Sequence, residues 1–402
     1  MMNERPDGAP ITAAFYLPQF HRIAENDEWW GDGFTEWTNV RRAVPLYEGH
    51  HHPVVPEGPY GYYDLTQPGV YEWQTDLASR YDVDAFIFYH YWFDGHRLLE
   101  KPLDSVLAGN NPFPFAICWA NENWTRRWDG KEHEVLMGQS YGPDVAAAVF
   151  ESFLPYMRDP RYLRLDGKAV VFVHRADHLP SAAEYARTWR VLARARGVGE
   201  LWLVASETSH GLVPEVLGFD AIGEFPPVGD SLLSTSARRL PKSIVPGFKG
   251  RLNDYGALAA HYLGRQQPRF RRHPAVVPRW DNTARRGVQS TSFAGSTPDG
   301  YATWLSAARQ RELRSGSAAG MVLINAWNEW AEGAYLEPDA HYGYAYLEAT
   351  RWNYEVRDRN ALDGSVLFDG SRNIAGSAKA AAASGVRLAK VARSRTRGSA
   401  SR

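Results

Sequence analysis

The chain has a single cysteine in 402 residues, Cys118. One thiol excludes an internal disulfide and a cysteine-rich metal site, and its setting in F-A-I-C-W reads as a buried strand position rather than a nucleophile. Long apolar runs are missing too. No stretch approaches the roughly 20 residues of a membrane helix, and the opening M-M-N-E-R-P-D-G carries no apolar signal core. A cytoplasmic protein, at most peripheral to a membrane, is the expectation. Also absent are a G-x-G-x-x-G opening a helix, a P-loop, a G-x-S-x-G elbow and an H-E-x-x-H pair. Their absence argues against nucleotide-dependent and serine-hydrolase chemistry and against a helical zinc site.

Acidic residues are missing from one region only. Residues 370 to 402 carry eight Lys or Arg and no Asp or Glu, which leaves 37 basic against 46 acidic residues elsewhere. The near-zero net charge thus combines an acidic body with a basic tail. Residues 358–402 read as a low-complexity, disordered tail whose sharper alternative is a weak contact with an anionic membrane surface. Nucleic-acid binding is not expected, because the basic residues lie apart from the aromatic-rich body and no recognisable module accompanies them.

Aromatics are plentiful: 15 Trp and 21 Tyr. Many sit beside carboxylates, amides or histidines, as in E-N-D-E-W-W (25 to 30), Y-H-Y-W (89 to 92) and W-A-N-E-N-W (119 to 124). That pairing suits a ligand with apolar C–H faces and a hydroxyl rim, such as a sugar ring, although any one indole could equally fill the core. Short β-rich runs begin at residues 13, 85, 115, 169, 201, 221, 275 and 321, with amphipathic helical stretches such as 70 to 81 and 182 to 196 between them. Eight such runs predict an α/β fold, a single elaborated (β/α)8 TIM-type barrel with enlarged loops over residues 11–357, after an N-terminal tail of residues 1–10. The stretch 228 to 274 reads as a loop-rich excursion.

Barrel enzymes work at the C-terminal ends of their strands. Those ends carry Gln19, His90, Tyr91, Trp92, Asn121, Glu122, Asn123, Trp124, Glu207, Glu224, Trp280, Asp281, Asn328, Glu329 and Glu332. Carboxylates around an aromatic cleft suit glycosidic bond chemistry, with one acid and one base. Glu329 and Glu332, three apart where an apolar strand tightens into a turn, are the best pair for it. They could instead belong to an ion-pair network with nearby arginines or cap a helix. A metal is the rival chemistry, with His50, His51, His52, His21, His90, Asp94 and Glu122 as conceivable ligands. Their spacing matches no ligand motif, so neither a metal nor another cofactor is expected.

The runs F-Y-L-P-Q-F-H-R-I-A-E-N-D-E-W-W-G-D-G-F-T-E-W-T-N-V (15 to 40), F-Y-H-Y-W-F (88 to 93), W-A-N-E-N-W-T-R-R-W-D-G (119 to 130) and N-A-W-N-E-W-A-E-G-A-Y-L-E-P (325 to 338) resemble the WbsX-type, glycoside hydrolase family 99-like proteins. The resemblance implies a (β/α) barrel related to endo-α-mannosidases and endo-α-mannanases, and genes associated with O-antigen or capsule. It implies a retaining mechanism in which Glu329 is the base on the substrate's 2-hydroxyl and Glu332 the acid/base at the bridging oxygen. The strand ends, the aromatic–polar clusters and these motifs together supply candidate sugar contacts. These are Glu36, Trp37, His90, Tyr91, Trp92, Trp119, Asn121, Glu122, Trp124, Trp280, Asp281, Trp327, Asn328 and Tyr335. The expected activity is a glycoside hydrolase acting on a bacterial surface polysaccharide or its precursor. A glycosyltransferase using the same cleft, or a carbohydrate-binding barrel without catalysis, are the alternatives. Mannose specificity does not carry over, since the loops outside these motifs differ.

Overall fold

The computed structural model describes residues 5–126, 131–228, 235–237, 239–316, 320–363 and 372–373. The β-rich runs form parallel strands: β1 (Ile11–Tyr16), β2 (Ala85–Phe93), β3 (Phe115–Trp119), β4 (Lys168–Val173), β5 (Leu201–Ser206) and β6 (Ala221–Gly223). The next run divides into β7 (Arg272–His273) and β8 (Ala275–Val276), and β9 is Met321–Ile324. Hydrogen-bonded order is β7-β6-β5-β4-β3-β2-β1-β9-β8, every neighbour along it parallel.

Pro274 separates β7 from β8 and brings the two ends of this sheet together. It has no N–H for a ladder, so the strand changes partner there: β7 pairs with β6 and β8 with β9. The Pro274 carbonyl accepts from the Leu323 N–H at 2.9 Å. The expected eight-run barrel is therefore observed, with its seventh strand interrupted. Regular pairing stops at Val276 and Ile324, earlier than the runs 275 to 280 and 321 to 327 suggest. The remaining residues of both runs lead into the segments that carry Arg285 and the two glutamates.

The barrel interior is aromatic and branched. Phe15 packs edge-on to Phe172 at 5.6 Å and to Phe225 at 5.1 Å. Gly223 faces the same interior, where a Cβ would stand 2.8 Å from the Leu323 side chain. Helices cover the outside through apolar stripes. In Val70–Arg80 the residues Val70, Gln74, Leu77 and Ala78 are buried, and in Ala182–Ala195 Tyr185, Ala186 and Trp189 are. Helix Pro298–Ser315 starts on Thr297, whose side chain accepts from the Gly300 N–H, with proline at the first position.

The described residues of the stretch 228 to 274 hold more regular structure than its loop-like composition suggests. Strand Arg251–Asp254 pairs in parallel with Thr291–Ala294 and runs into helix Tyr255–Leu263, capped by the Asp254 carboxylate. Residues 358–363 lie against the body, where the Asp358 N–H reaches the Asp299 carboxylate at 2.8 Å and Leu362 packs on the core. Of the expected basic tail, 364–371 and 374–402 lie outside the described residues. Among the described residues no helix is long and apolar enough to cross a membrane.

Candidate active site

The two glutamates sit on a tight hairpin. Asn328–Glu329 pairs antiparallel with Ala334–Tyr335 across a 3-10 turn, Trp330–Glu332, and Gly333 closes it at φ +64°. A side chain at 333 would be strained by that φ and would meet the Asp281 N–H at 2.9 Å. The close approach lets the Asp281 N–H donate to the Glu332 carbonyl at 2.6 Å. Asn328 ties the hairpin to the end of β1: its Oδ1 accepts from the Leu17 N–H at 2.8 Å and its Nδ2 donates to the Leu17 carbonyl at 3.0 Å. So held, the turn aims both carboxylates into one pocket.

That pocket, about 220 Å³, opens at the C-terminal ends of the strands. Leu17 and Gln19 follow β1, and Tyr89 and Tyr91 end β2. Glu122, Asn123 and Trp124 follow β3, His174 follows β4 and Phe225 follows β6. Arg285 comes from the loop after β8, and Asn325, Glu329 and Glu332 follow β9. Tyr89 and Phe225 rest on Phe15, so the floor of the pocket is the top of the barrel core. Gln19 Nε2 donates to the Tyr91 hydroxyl at 2.9 Å, and Arg175 Nη1 donates to Glu122 at 2.7 Å.

Arg285 organises the charge. Its Nη1 lies 2.7 Å from Glu332, and its Nη2 lies 3.0 Å from both Glu329 oxygens and 2.9 Å from Glu36. Burial pushes the Glu329 carboxyl up to about 8. Arg285 opposes that rise, whereas Glu332 and Glu36 add to it. Glu36, 1 % exposed, is also raised, first by burial. Burial works against the charge of Arg285, but the three carboxylates outweigh it and hold the guanidinium firmly protonated. The arrangement is a proton-holding carboxyl beside a second carboxyl under one cation, in a pocket walled by Tyr89, Tyr91, Trp124 and Phe225.

The candidate sugar contacts divide into several places. Tyr91, Glu122 and Trp124 line the pocket, and Glu36 stands behind it on Arg285. Trp280, Asp281 and Tyr335 line a second cavity of about 630 Å³ on the other side of the Gly333 turn. Seven others lie outside both cavities. Trp37 donates to the Tyr63 carbonyl at 2.7 Å, Asn121 bonds the Arg175 backbone, and Asn328 bonds Leu17. His90 faces Ser152 at 3.0 Å, and burial pushes it down to about 3. Trp119 packs on Tyr185 and Trp189 under the outer helices, and Trp327 is fully buried with its N–H on Glu337. The Trp92 side chain is buried away from the pocket, and its carbonyl accepts from Gln139.

His50, His52 and Asp281 stand close enough to share an ion. Their hydrogen bonds give a different account. His50 Nδ1 accepts from the Leu46 N–H at 3.0 Å, so its proton is on Nε2, which faces Asp281 Oδ2. That nitrogen donates and has no lone pair for a metal. His52 Nε2 meets the same oxygen at 3.0 Å, and together the two rings hold the Asp281 carboxyl low against the effect of burial. Asp281 Oδ1 accepts from the Thr283 N–H and hydroxyl, starting the turn that delivers Arg285.

A family model described as Glycosyltransferase WbsX matches residues 12–350. The chain belongs to the WbsX family. It is 44 % identical over 349 residues to the WxcX proteins of two strains of Xanthomonas campestris pv. campestris, covering 86 % of this chain. It spans about half the length of those curated relatives. A solved structure described as a glycoside hydrolase-like protein shares the fold at TM-score 0.53 and 16 % identity, over 88 % of this chain and 96 % of that one. The GH99 endo-alpha-mannosidase of Bacteroides thetaiotaomicron, solved with bis-tris-propane, gives 0.50 and 16 % over 85 % and 95 %.

Sequence reading of this WbsX chain missed Arg285, Tyr89, His174, Phe225 and Asn325. His174 and Phe225 stand at strand ends and could have been found by reading every strand end alike. T-A-R-R around Arg285 carries no such signal, because its partners lie far away in sequence.

Proposed function

We propose that the protein is a retaining glycoside hydrolase acting on a bacterial surface polysaccharide or its precursor. In its ionised form, which it reaches on the alkaline side of neutrality, Glu329 takes the proton of the substrate's 2-hydroxyl while that oxygen attacks the anomeric carbon, and Glu332 protonates the departing bridging oxygen. The product of this step is a 1,2-anhydro sugar. Glu332 then takes a proton from water as it adds to the anomeric carbon, the 1,2-anhydro C–O bond at that carbon opens, and Glu329 returns its proton to the 2-oxygen. Two inversions leave the configuration retained.

The observation that carries the reading is the pair Glu329 and Glu332 on one guanidinium at the strand-end rim, beside Tyr91 and Trp124. A transferase would run the same first step and pass the sugar to a hydroxyl in place of water. The charge of the pocket favours hydrolysis. Three carboxylates surround Arg285, and Arg175 is already paired with Glu122 and Asp177. Among the described residues, each of these guanidiniums already holds carboxylates that the pyrophosphate of a nucleotide sugar would have to displace.

The test is incubation with defined oligosaccharides and bacterial surface polysaccharides, in parallel with nucleotide-sugar donors and saccharide acceptors, followed by mass spectrometry. New reducing ends without a donor are expected. Donor-dependent extension of an acceptor, with release of the nucleotide, would make the enzyme a transferase.

A further inference from the structure

Glu36 is a buried carboxylate that the proposed reaction does not use. It does not line the pocket, yet its Oε2 competes for the same Arg285 Nη2 that binds both oxygens of Glu329. The two partners arrive from opposite sides of the chain. Glu36 opens the helix Glu36–Arg42, and Arg285 stands in the short helix Thr283–Arg286 shaped by Asp281 and by Asn282, whose Oδ1 accepts from the Thr291 N–H. Burying an acid there has a desolvation cost, which its contacts with the guanidinium and with the Asn39 side chain offset.

We propose that Arg285 and Glu36 are a positioning pair for the base: Arg285 favours the ionised form of Glu329, and Glu36 draws part of the guanidinium away from it. The proposal rests on the reading of Glu329 as a base for its kinetic consequence, though the titration itself does not. One cation among three carboxylates leaves a surplus of negative charge, so Glu329 keeps its proton near neutral pH and releases it on the alkaline side. Its other titratable surroundings on the pocket wall are Glu332, Glu122, His174, Tyr89 and Tyr91. Burial raises both tyrosines far above neutrality, so they stay uncharged. Removing Glu36 gives Arg285 wholly to Glu329 and Glu332; removing Arg285 leaves Glu329 without its counter-charge.

The experiment is a carbon-13 NMR titration of glutamate side-chain carboxyls in the full chain between pH 5 and 10. Glu224 and Glu337 are also pushed up, each to about 7, so the Glu329 signal is identified by its loss in Glu329→Gln. Glu36→Gln is expected to move that titration down by about one pH unit or more, and Arg285→Gln to move it up. Arg285→Lys keeps the charge but not the fork, so it moves the signal upward by less and serves where Arg285→Gln fails to fold. If both substitutions leave the titration at its wild-type position, or shift it in the same direction, the pair has no such role. Where a substrate is known, the acid limb of kcat/KM follows the titration in each variant. Opposite NMR shifts in a protein that cleaves no saccharide would keep the pair and discard the hydrolase reading.

Discussion

Two carboxylates eight residues apart, Glu329 and Glu337, are both buried and both raised, yet they are held in opposite ways. Glu337 Oε1 accepts from Gln74 at 2.6 Å and Trp327 at 3.1 Å; its Oε2 accepts from the Tyr63 hydroxyl and Trp330, each at 2.6 Å. Burial raises it and these four neutral donors pull it back. All four neighbours are themselves buried, so the group is closed and rigid. Glu329 instead shares one buried cation with two other carboxylates at the wall of an open pocket. A carboxylate satisfied by fixed neutral donors is scaffolding; one that shares a cation with other acids can exchange protons. The hairpin from 328 to 335 joins the two, so the scaffold at Glu337 sets the position of the chemistry at Glu329.

The contrast can be broken at either end. The largest effect is expected from Glu332→Gln, which should lower kcat/KM by about 10²- to 10⁴-fold while the thermal melt stays near wild type. Glu337→Leu should do the reverse in kind. It strands four buried donors, at about 1–3 kcal/mol for each that stays unpaired, so stability in a urea titration should fall by about 4 kcal/mol or more. Asn328→Ala removes the two bonds to Leu17 and should cost about 2 kcal/mol, with activity lost in step as the hairpin loosens.

Changing pH should sharpen the same comparison. Glu329 and Glu337 are raised to about 8 and about 7, above the unfolded carboxyl value near 4.3. Their contribution to stability is therefore complete below about pH 4.3 and is lost as pH rises through 7 and 8. The melting temperature should fall between pH 6 and pH 9, and less steeply in Glu329→Gln. A flat or rising profile would remove the raised carboxyls. The smallest effect is expected of Trp124→Ala, at the pocket wall, which should raise KM several-fold and leave kcat nearly unchanged.

The barrel was legible because parallel buried strands must be short apolar β-rich runs, and each expected run became one. The exception is instructive. Pro274 precedes the 275 run, and only the structure shows that the strand changes partner around it. The glutamate pair and its turn were also legible, since spacing at a strand end is a local property. Trp124 reached the pocket wall, but the other indoles were not legible. Trp327 and Trp330 beside Asn and Glu look the same in sequence whether their N–H groups meet a sugar or, as here, Glu337. Trp280 and Tyr335 pointed to a real cavity, but one on the far side of the Gly333 turn. Arg285 was invisible because its meaning lies wholly in contacts with Glu36 and Glu329, 249 and 44 residues away. The ion-pair alternative raised for the two glutamates turned out to coexist with the pocket, with Arg285 as its centre.

The most direct test of the central claim reads the anomer of the first-formed product by proton NMR, before mutarotation, on whichever polysaccharide the wild-type enzyme cleaves, with Glu332→Gln run beside it. Retention of configuration in the wild type and loss of turnover in the variant are the results predicted. Inversion at the anomeric carbon, or undiminished cleavage by Glu332→Gln, would contradict the assignment.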